Sequence, residues 1–183
     1  AVQAKDLLPG VAYEVVDSRS ASMAMGFSVL AVARAAQAGA SLAECKAIAE
    51  NARQQIGVIF VVDTLKYLHL GGRIGGATRF LGTALDLKPL LELVDGRIEA
   101  VERVRTKRKA IDRLLDLAEQ RIDGRKPVRL AALHANAEEE ADHLVERAGA
   151  RFNAVEILCE ELSPVVGVHA GPGTIGLAYM VGM

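Results

Sequence analysis

Residues 56–76, "IGVIFVVDTLKYLHLGGRIGG", change character at one point, Asp63. Before it, Ile56–Val62 is a continuous apolar run rich in β-branched side chains. Such a run predicts a strand buried on both faces, as in a parallel sheet. After it, "DTLKYLHL" has the spacing of a short amphipathic helix, broken by Gly71-Gly72. A buried strand feeding a helix is the unit of α/β architecture, and the flanking sequence repeats the alternation. Upstream, Ala1–Leu8 reads as a helix stopped by Pro9-Gly10, and Val11–Val16 as a strand. Residues 18–39 read as a buried helix with Gly39 at C′. Ser41 and Glu44 make a capping box for a helix running to about Gln55. Downstream, "ATRFLGTAL" is a second helical piece. Two strand runs then meet at Asp95-Gly96, a hairpin signal. Arg105–Ile122 is a basic helix, followed by strand, helix and strand through "VRLAALHA", "EEEADHLVERAG" and "AVEILCEEL". "VVGVHA" reads as a strand, Gly171-Pro172-Gly173 as a turn, and "TIGLAYMV" as the closing strand. The expected division is residues 1–62, a parallel-sheet α/β piece, and residues 63–183, a second α/β domain with the hairpin and the Gly-Pro-Gly turn.

Composition narrows the function classes. The chain has 183 residues, 51% hydrophobic and 25% charged, with a formal net charge of −1. That is enough chain for one large domain or two small ones, and it carries no global field toward nucleic acid or anionic lipid. No apolar run approaches the ~20 residues that span a bilayer, and no basic n-region opens a secretory signal. Cys45 and Cys159 have no disulfide-framework spacing, so a reduced, cytoplasmic chain with both thiols in inert packing is expected. The chain begins on Ala1, in what reads as a helix with no N-cap before it, so a fragment is expected.

Several constellations were candidates for chemistry. Gly171–Gly176 is formally G-x-G-x-x-G, but a dinucleotide site needs a following helix and an acidic residue ~20 positions on. A β-branched run follows instead, and the chain ends at Met183. The P-loop lysine is absent. What remains is a tight turn with His169 before it, where Gly171 and Gly173 permit close approach. "LHLGGRIGGATRF" places Arg73 and Arg79 among paired glycines, a combination suited to anion binding or to a flexible break with a solvated arginine. The run from Arg103 to Arg113 is densely basic. With aromatics at 4% and no tryptophan, it lacks stacking platforms for single-stranded nucleic acid. His134 and His143 lack the partners of a metal motif, and Ser18, Ser20 and Ser22 lack a G-x-S-x-G elbow.

Three stretches together resemble the DegV family of bacterial fatty-acid-binding proteins. They are "YEVVDSRSASMAMGFSVLAVARAAQAGASLAEC", "FVVDTLKYLHLGGRIGGATRFLGTALDLKPLLELVDGRIEAVERVRTKRKA" and "GVHAGPGTIGLAY". The resemblance implies two packed α/β domains with a long-chain fatty acid in an apolar tunnel between them. It also implies a separate kinase that phosphorylates the bound acid. The binding protein then supplies the substrate and carries no catalytic residue, metal or cofactor. Family members run longer at the N-terminus, where a Ser-Gly-Thr loop contacts the ligand carboxylate. By the same resemblance His169 donates to that carboxylate, directly or through water, and the Gly171–Gly173 turn admits the head group. Arg73, with Gly72 beside it, and Arg105 fall near the tunnel mouth. There they face the acyl phosphate, the phosphates of ATP or acidic residues of the kinase. Phe80, Leu81 and Leu85 are candidates for tunnel wall, with plain core packing an equal alternative. The rival reading is a nucleotide-binding phosphotransferase of related α/β fold.

Overall fold

The computed structural model describes residues 2, 7, 10–82 and 87–183. Two helices come first, α1 (Ser22–Gln37) and α2 (Leu42–Ala52). There follow β1 (Ile56–Val61), the short α3 (Lys66–Leu70), a 3-10 turn (Gly75–Phe80), β2 (Lys88–Val94) and β3 (Arg97–Val104). The chain continues through α4 (Lys107–Ile122), β4 (Val128–Ala135), α5 (Glu138–Phe152), β5 (Glu156–Glu161), α6 (Pro164–Ala170) and β6 (Thr174–Val181). The six strands among the described residues join one sheet in the order β3-β2-β1-β6-β4-β5. The expected helix over residues 1–8 lies largely outside the described residues.

Local chemistry accounts for the element ends. Ser41 caps α2 by accepting from the Glu44 amide, and Glu44 reaches back to the Ser41 amide, which satisfies two orphan helix donors at once. Gly39 follows the α1 C-cap with φ +94. The β2–β3 hairpin turns at Asp95 and Gly96, with φ +48 and +77, the twist that a two-residue hairpin requires.

Four expectations are corrected. β1 pairs antiparallel with both β2 and β6, not in a parallel sheet. Its apolar run reflects helices on both faces: Ile59 and Val61 join the α4/α5 core, while Val58 joins the α1 core. Among the described residues the one parallel pair is β4–β5, joined through the crossover helix α5. "VVGVHA" is not a strand but helix α6, with Pro164 in its first turn. A proline there has preset φ and lacks an N–H that would be orphaned anyway. Val11–Val16 pairs with no strand among the described residues. Finally, Cys159 is exposed and not packed away. A milder difference concerns α1, which buries only Ala24, Phe27 and Ser28 and leaves Met25 and Val29 exposed. It covers the sheet with one face.

The expected division at residues 62/63 falls at the end of β1, in the middle of this sheet. β6 is buried along its whole length: Ile175, Leu177, Tyr179 and Val181 face α4 and α5, and Ala178 and Met180 face α1. A third, smaller cluster of Val62, Leu68, Ile74, Ala77, Leu91 and Ala100 seats α3 and the 3-10 turn against the hairpin. No helix among the described residues is long and apolar enough to cross a membrane.

Candidate functional site: an apolar-floored cleft

The sheet face that α1 covers is not covered completely. Beyond the start of α1 lies a cleft of ≈ 920 Å³, large enough for an extended small-molecule ligand. Its floor is one row of the sheet, Phe60, Gly176 and Leu133, which are register partners across β1, β6 and β4. Gly176 keeps the floor low. A Cβ there would meet Phe60 Cβ at 3.1 Å and the Ile59 carbonyl oxygen at 3.3 Å. Four walls rise from this floor: residues 17–22 before α1, the β2–β3 hairpin, the loop after α3, and α6.

The polar groups sit on these walls. Ser20, Ala21 and Ser22 bring the N-terminus of α1 to the cleft. Ala21, the N-cap, supplies no side-chain acceptor, and the first turn carries no acidic residue. Open amides at a helix N-terminus favour a negative group. Arg19 lines the same wall in a left-handed backbone conformation, φ +50. It pairs with Asp95 at the hairpin tip at 3.1 Å, and Gly96 lies against its Cα. This contact ties the approach to α1 to the hairpin. Arg73 is exposed, lines the cleft and donates to the Gly71 carbonyl at 2.8 Å. Arg97 joins it on the hairpin side. His169 lines the cleft from the end of α6, with its Nδ1 shielded from solvent and without a hydrogen-bond partner.

The sequence candidates divide. His169, Gly72 and Arg73 meet in the cleft. Gly171 and Gly173 sit behind it. A Cβ at Gly171 would strike the Tyr67 ring, and one at Gly173 would strike the Asp63 carboxylate. Their smallness admits protein side chains at these points. Arg105 is exposed beyond the end of β3 and is not part of the cleft wall. Phe80 is half-buried against the third core cluster, with the Arg79 and Arg103 guanidiniums 5.3 and 4.9 Å from its ring centre. Leu81 is 41% exposed. Neither lines the cleft, whose apolar surface comes instead from residues such as Val58, Phe60, Leu93 and Leu162. Leu85 lies outside the described residues. Sequence reasoning weighed the serines only as nucleophiles. The signal it passed over was a serine cluster immediately before a helix start.

Electrostatics away from the cleft are structural. Glu156 on β5 accepts from Arg34 of α1 and Arg129 of β4. The hydrogen bond from Arg34, ahead of the charges of both arginines, holds its carboxyl below the ordinary range. Burial pushes the Tyr179 phenol up, against the pull of Arg121 and Arg125.

Comparison with known proteins agrees with this geometry. The DegV family model matches residues 1–181. A DegV domain-containing protein of Streptomyces coelicolor is 42% identical over 168 residues, which cover 91% of this chain and 59% of that protein. Protein DegV of Bacillus subtilis is 34% identical over 165 residues, 89% of this chain and 58% of its own length. Among solved structures, a DegV family protein from Thermus thermophilus, described by its fatty acid binding, superposes with a TM-score of 0.90 at 37% identity, over 97% of this chain and 63% of that one. The B. subtilis DegV structure, described as a fatty acid binding protein, gives 0.87 at 31% identity, over 100% and 65%. The chain thus spans about three fifths of the length of these relatives. The family model over residues 1–181, the identity to these relatives and the shared fold lead to one assignment: the chain belongs to the DegV family.

Proposed function

We propose that this chain binds a long-chain fatty acid in the cleft and presents its carboxylate to a separate kinase, which forms the acyl phosphate. The observation that carries the reading is the cleft's combination of an apolar floor with polar groups gathered on its walls. The fatty acid binding described for the T. thermophilus and B. subtilis proteins supports it. The apolar lining, Val58, Phe60 and Leu133 among it, takes the acyl tail, and each CH₂ removed from water contributes ~0.8 kcal/mol. The head group needs partners, because an unpaired buried carboxylate is costly. His169, Ser20, Ser22 and the amide end of α1 are the donors at hand. The protein contributes affinity through the tail and orientation through the head group. The phosphoryl-transfer chemistry belongs to the partner, and exposed Arg73 stands where the anionic product or the partner would meet it.

Titration with oleate tests the binding. One acid per chain is expected, weakened in His169→Ala without loss of fold. A folded protein that takes up no fatty acid would remove the reading. For the second half, Arg73→Glu is expected to impair kinase-coupled phosphorylation more than oleate binding. Equal turnover by the variant would leave Arg73 no part in presentation.

A further inference from the structure

We infer that Gly71 and Tyr67 are positioning residues for His169, fixing its imidazole with the Nδ1 side sealed and the remaining edge turned to the cleft. The inference rests on the fatty-acid reading for its purpose, but its geometry stands apart from it.

Gly71 is glycine for a reason that its backbone does not supply. Its φ and ψ are −76° and −5°, a right-handed conformation open to any L residue. Space is the constraint. A Cβ at this position would fall on Nδ1 of His169, with imidazole Cε1 at 2.9 Å and the Tyr67 carbonyl oxygen at 3.1 Å. Gly72 is the reverse case: φ is +67°, and a Cβ there would meet nothing within 4 Å. The first glycine of the pair makes room for a side chain, and the second makes the turn.

The arrangement is reciprocal. Tyr67 lies one helical turn before Gly71, whose amide donates to the Tyr67 carbonyl at 2.9 Å. The Tyr67 ring fills the space where Gly171 lacks a Cβ, which would otherwise stand 2.8 Å from ring Cε2. Gly171 is two residues after His169 and is the C-cap of α6, with φ +84°. So α3 sends Tyr67 into a gap on α6, and α6 sends His169 into a gap on α3. Thr174, buried at the start of β6, donates to the Ala170 or Gly171 carbonyl, at 3.0 and 2.8 Å. It anchors the end of α6 to the sheet. The imidazole is held by packing, since its shielded Nδ1 has no hydrogen-bond partner. A buried nitrogen left unpaired is unfavourable. The contact is therefore not explained by the bond it makes, but by the edge it presents. A ligand head group meets a donor already in place, which lowers the ordering cost of binding.

The test uses the full chain, oleate as probe, and three variants: Gly71→Ala, His169→Ala and the double. In the wild type, oleate is expected to shift the His169 Cε1–H resonance. In Gly71→Ala that resonance is expected to be displaced already and to respond weakly. Its oleate affinity should fall on the order of tenfold, as for loss of one charge-assisted hydrogen bond. The double variant should bind no worse than His169→Ala, because the two residues act as one unit. A Gly71→Ala protein with wild-type affinity and an unmoved resonance would overturn the inference. If Gly71→Ala does not fold, the double should, because loss of the imidazole vacates the space for the new methyl. A double that also fails to fold overturns it equally. Should the wild type take up no oleate, the fatty-acid reading fails, while the displaced resonance and the folding rescue still decide the interlock.

Discussion

At the residue scale, the glycines of this chain do different work from the one their motif suggests. Gly171 and Gly173 read in sequence as a turn that lets a ligand come close. In the fold their missing side chains are replaced by Tyr67 and Asp63. Gly173 combines two constraints, φ +78° and contact with an Asp63 carboxylate that also pairs with Lys88 at 3.0 Å. Gly173→Ala is therefore expected to cost about 1–3 kcal/mol, from a strained φ plus displacement of a neighbour. Urea denaturation checks this, and a change under 0.5 kcal/mol would mean that the loop relaxes freely. His169 and Arg73 were legible as site candidates because each stands beside a glycine turn and the family resemblance assigns both positions a role. The space that each glycine leaves was not legible, since it is filled by residues more than a hundred positions away. The same holds for Leu81, which is hydrophobic in sequence but exposed at the rim of the 3-10 turn.

At the element scale, pattern reading succeeded where periodicity was long or a cap or turn signal was explicit. The helices α2, α4 and α5, the hairpin and the β4–α5–β5 unit are of this kind. It failed at α6, where three valines in seven residues suggested a strand and Ser163-Pro164 announced a helix. It also misjudged β1, because burial on two faces does not reveal the direction of the neighbouring strands. Two predictions belong here. α4 anchors the larger core through Leu114, fully buried among residues of β1, β4 and β6. Leu114→Ala is expected to destabilise by about 2–5 kcal/mol, readable as a shift in the urea midpoint. A loss under 1 kcal/mol would place the core elsewhere. The second concerns the Glu156 clamp between α1, β4 and β5. Its folded pKa is depressed, chiefly by the hydrogen bond from Arg34. It therefore contributes stability above the ordinary carboxylate range, which is lost as pH falls through that range toward the folded value. Thermal unfolding followed from neutral to acid pH should show this loss, with a shallower acid dependence in Glu156→Gln. An identical profile in the variant would assign the acid sensitivity to other carboxylates.

At the scale of the whole molecule, a single mixed sheet organises both the core and the cleft. Its α4/α5 face is packed. Its other face is covered only in part, by α1 and by α3 with the 3-10 turn, and the uncovered row of Phe60, Gly176 and Leu133 becomes the floor. α/β character and the family were within reach of sequence, through alternating elements and three matching stretches. The strand order was not, because the pairing of β1 with β6 joins residues more than a hundred positions apart. Filling the floor should close the site. Gly176→Val, on a strand where only Gly is small enough to leave the row open, is expected to abolish most ligand uptake. Some loss of stability from overpacking, about 1–3 kcal/mol, should accompany it. The most direct measurement is native mass spectrometry of the wild-type chain with added oleate. The account predicts one oleate per chain in the wild type and none retained in Gly176→Val that remains folded. A folded wild-type chain with no oleate bound, or equal retention by both proteins, would contradict it.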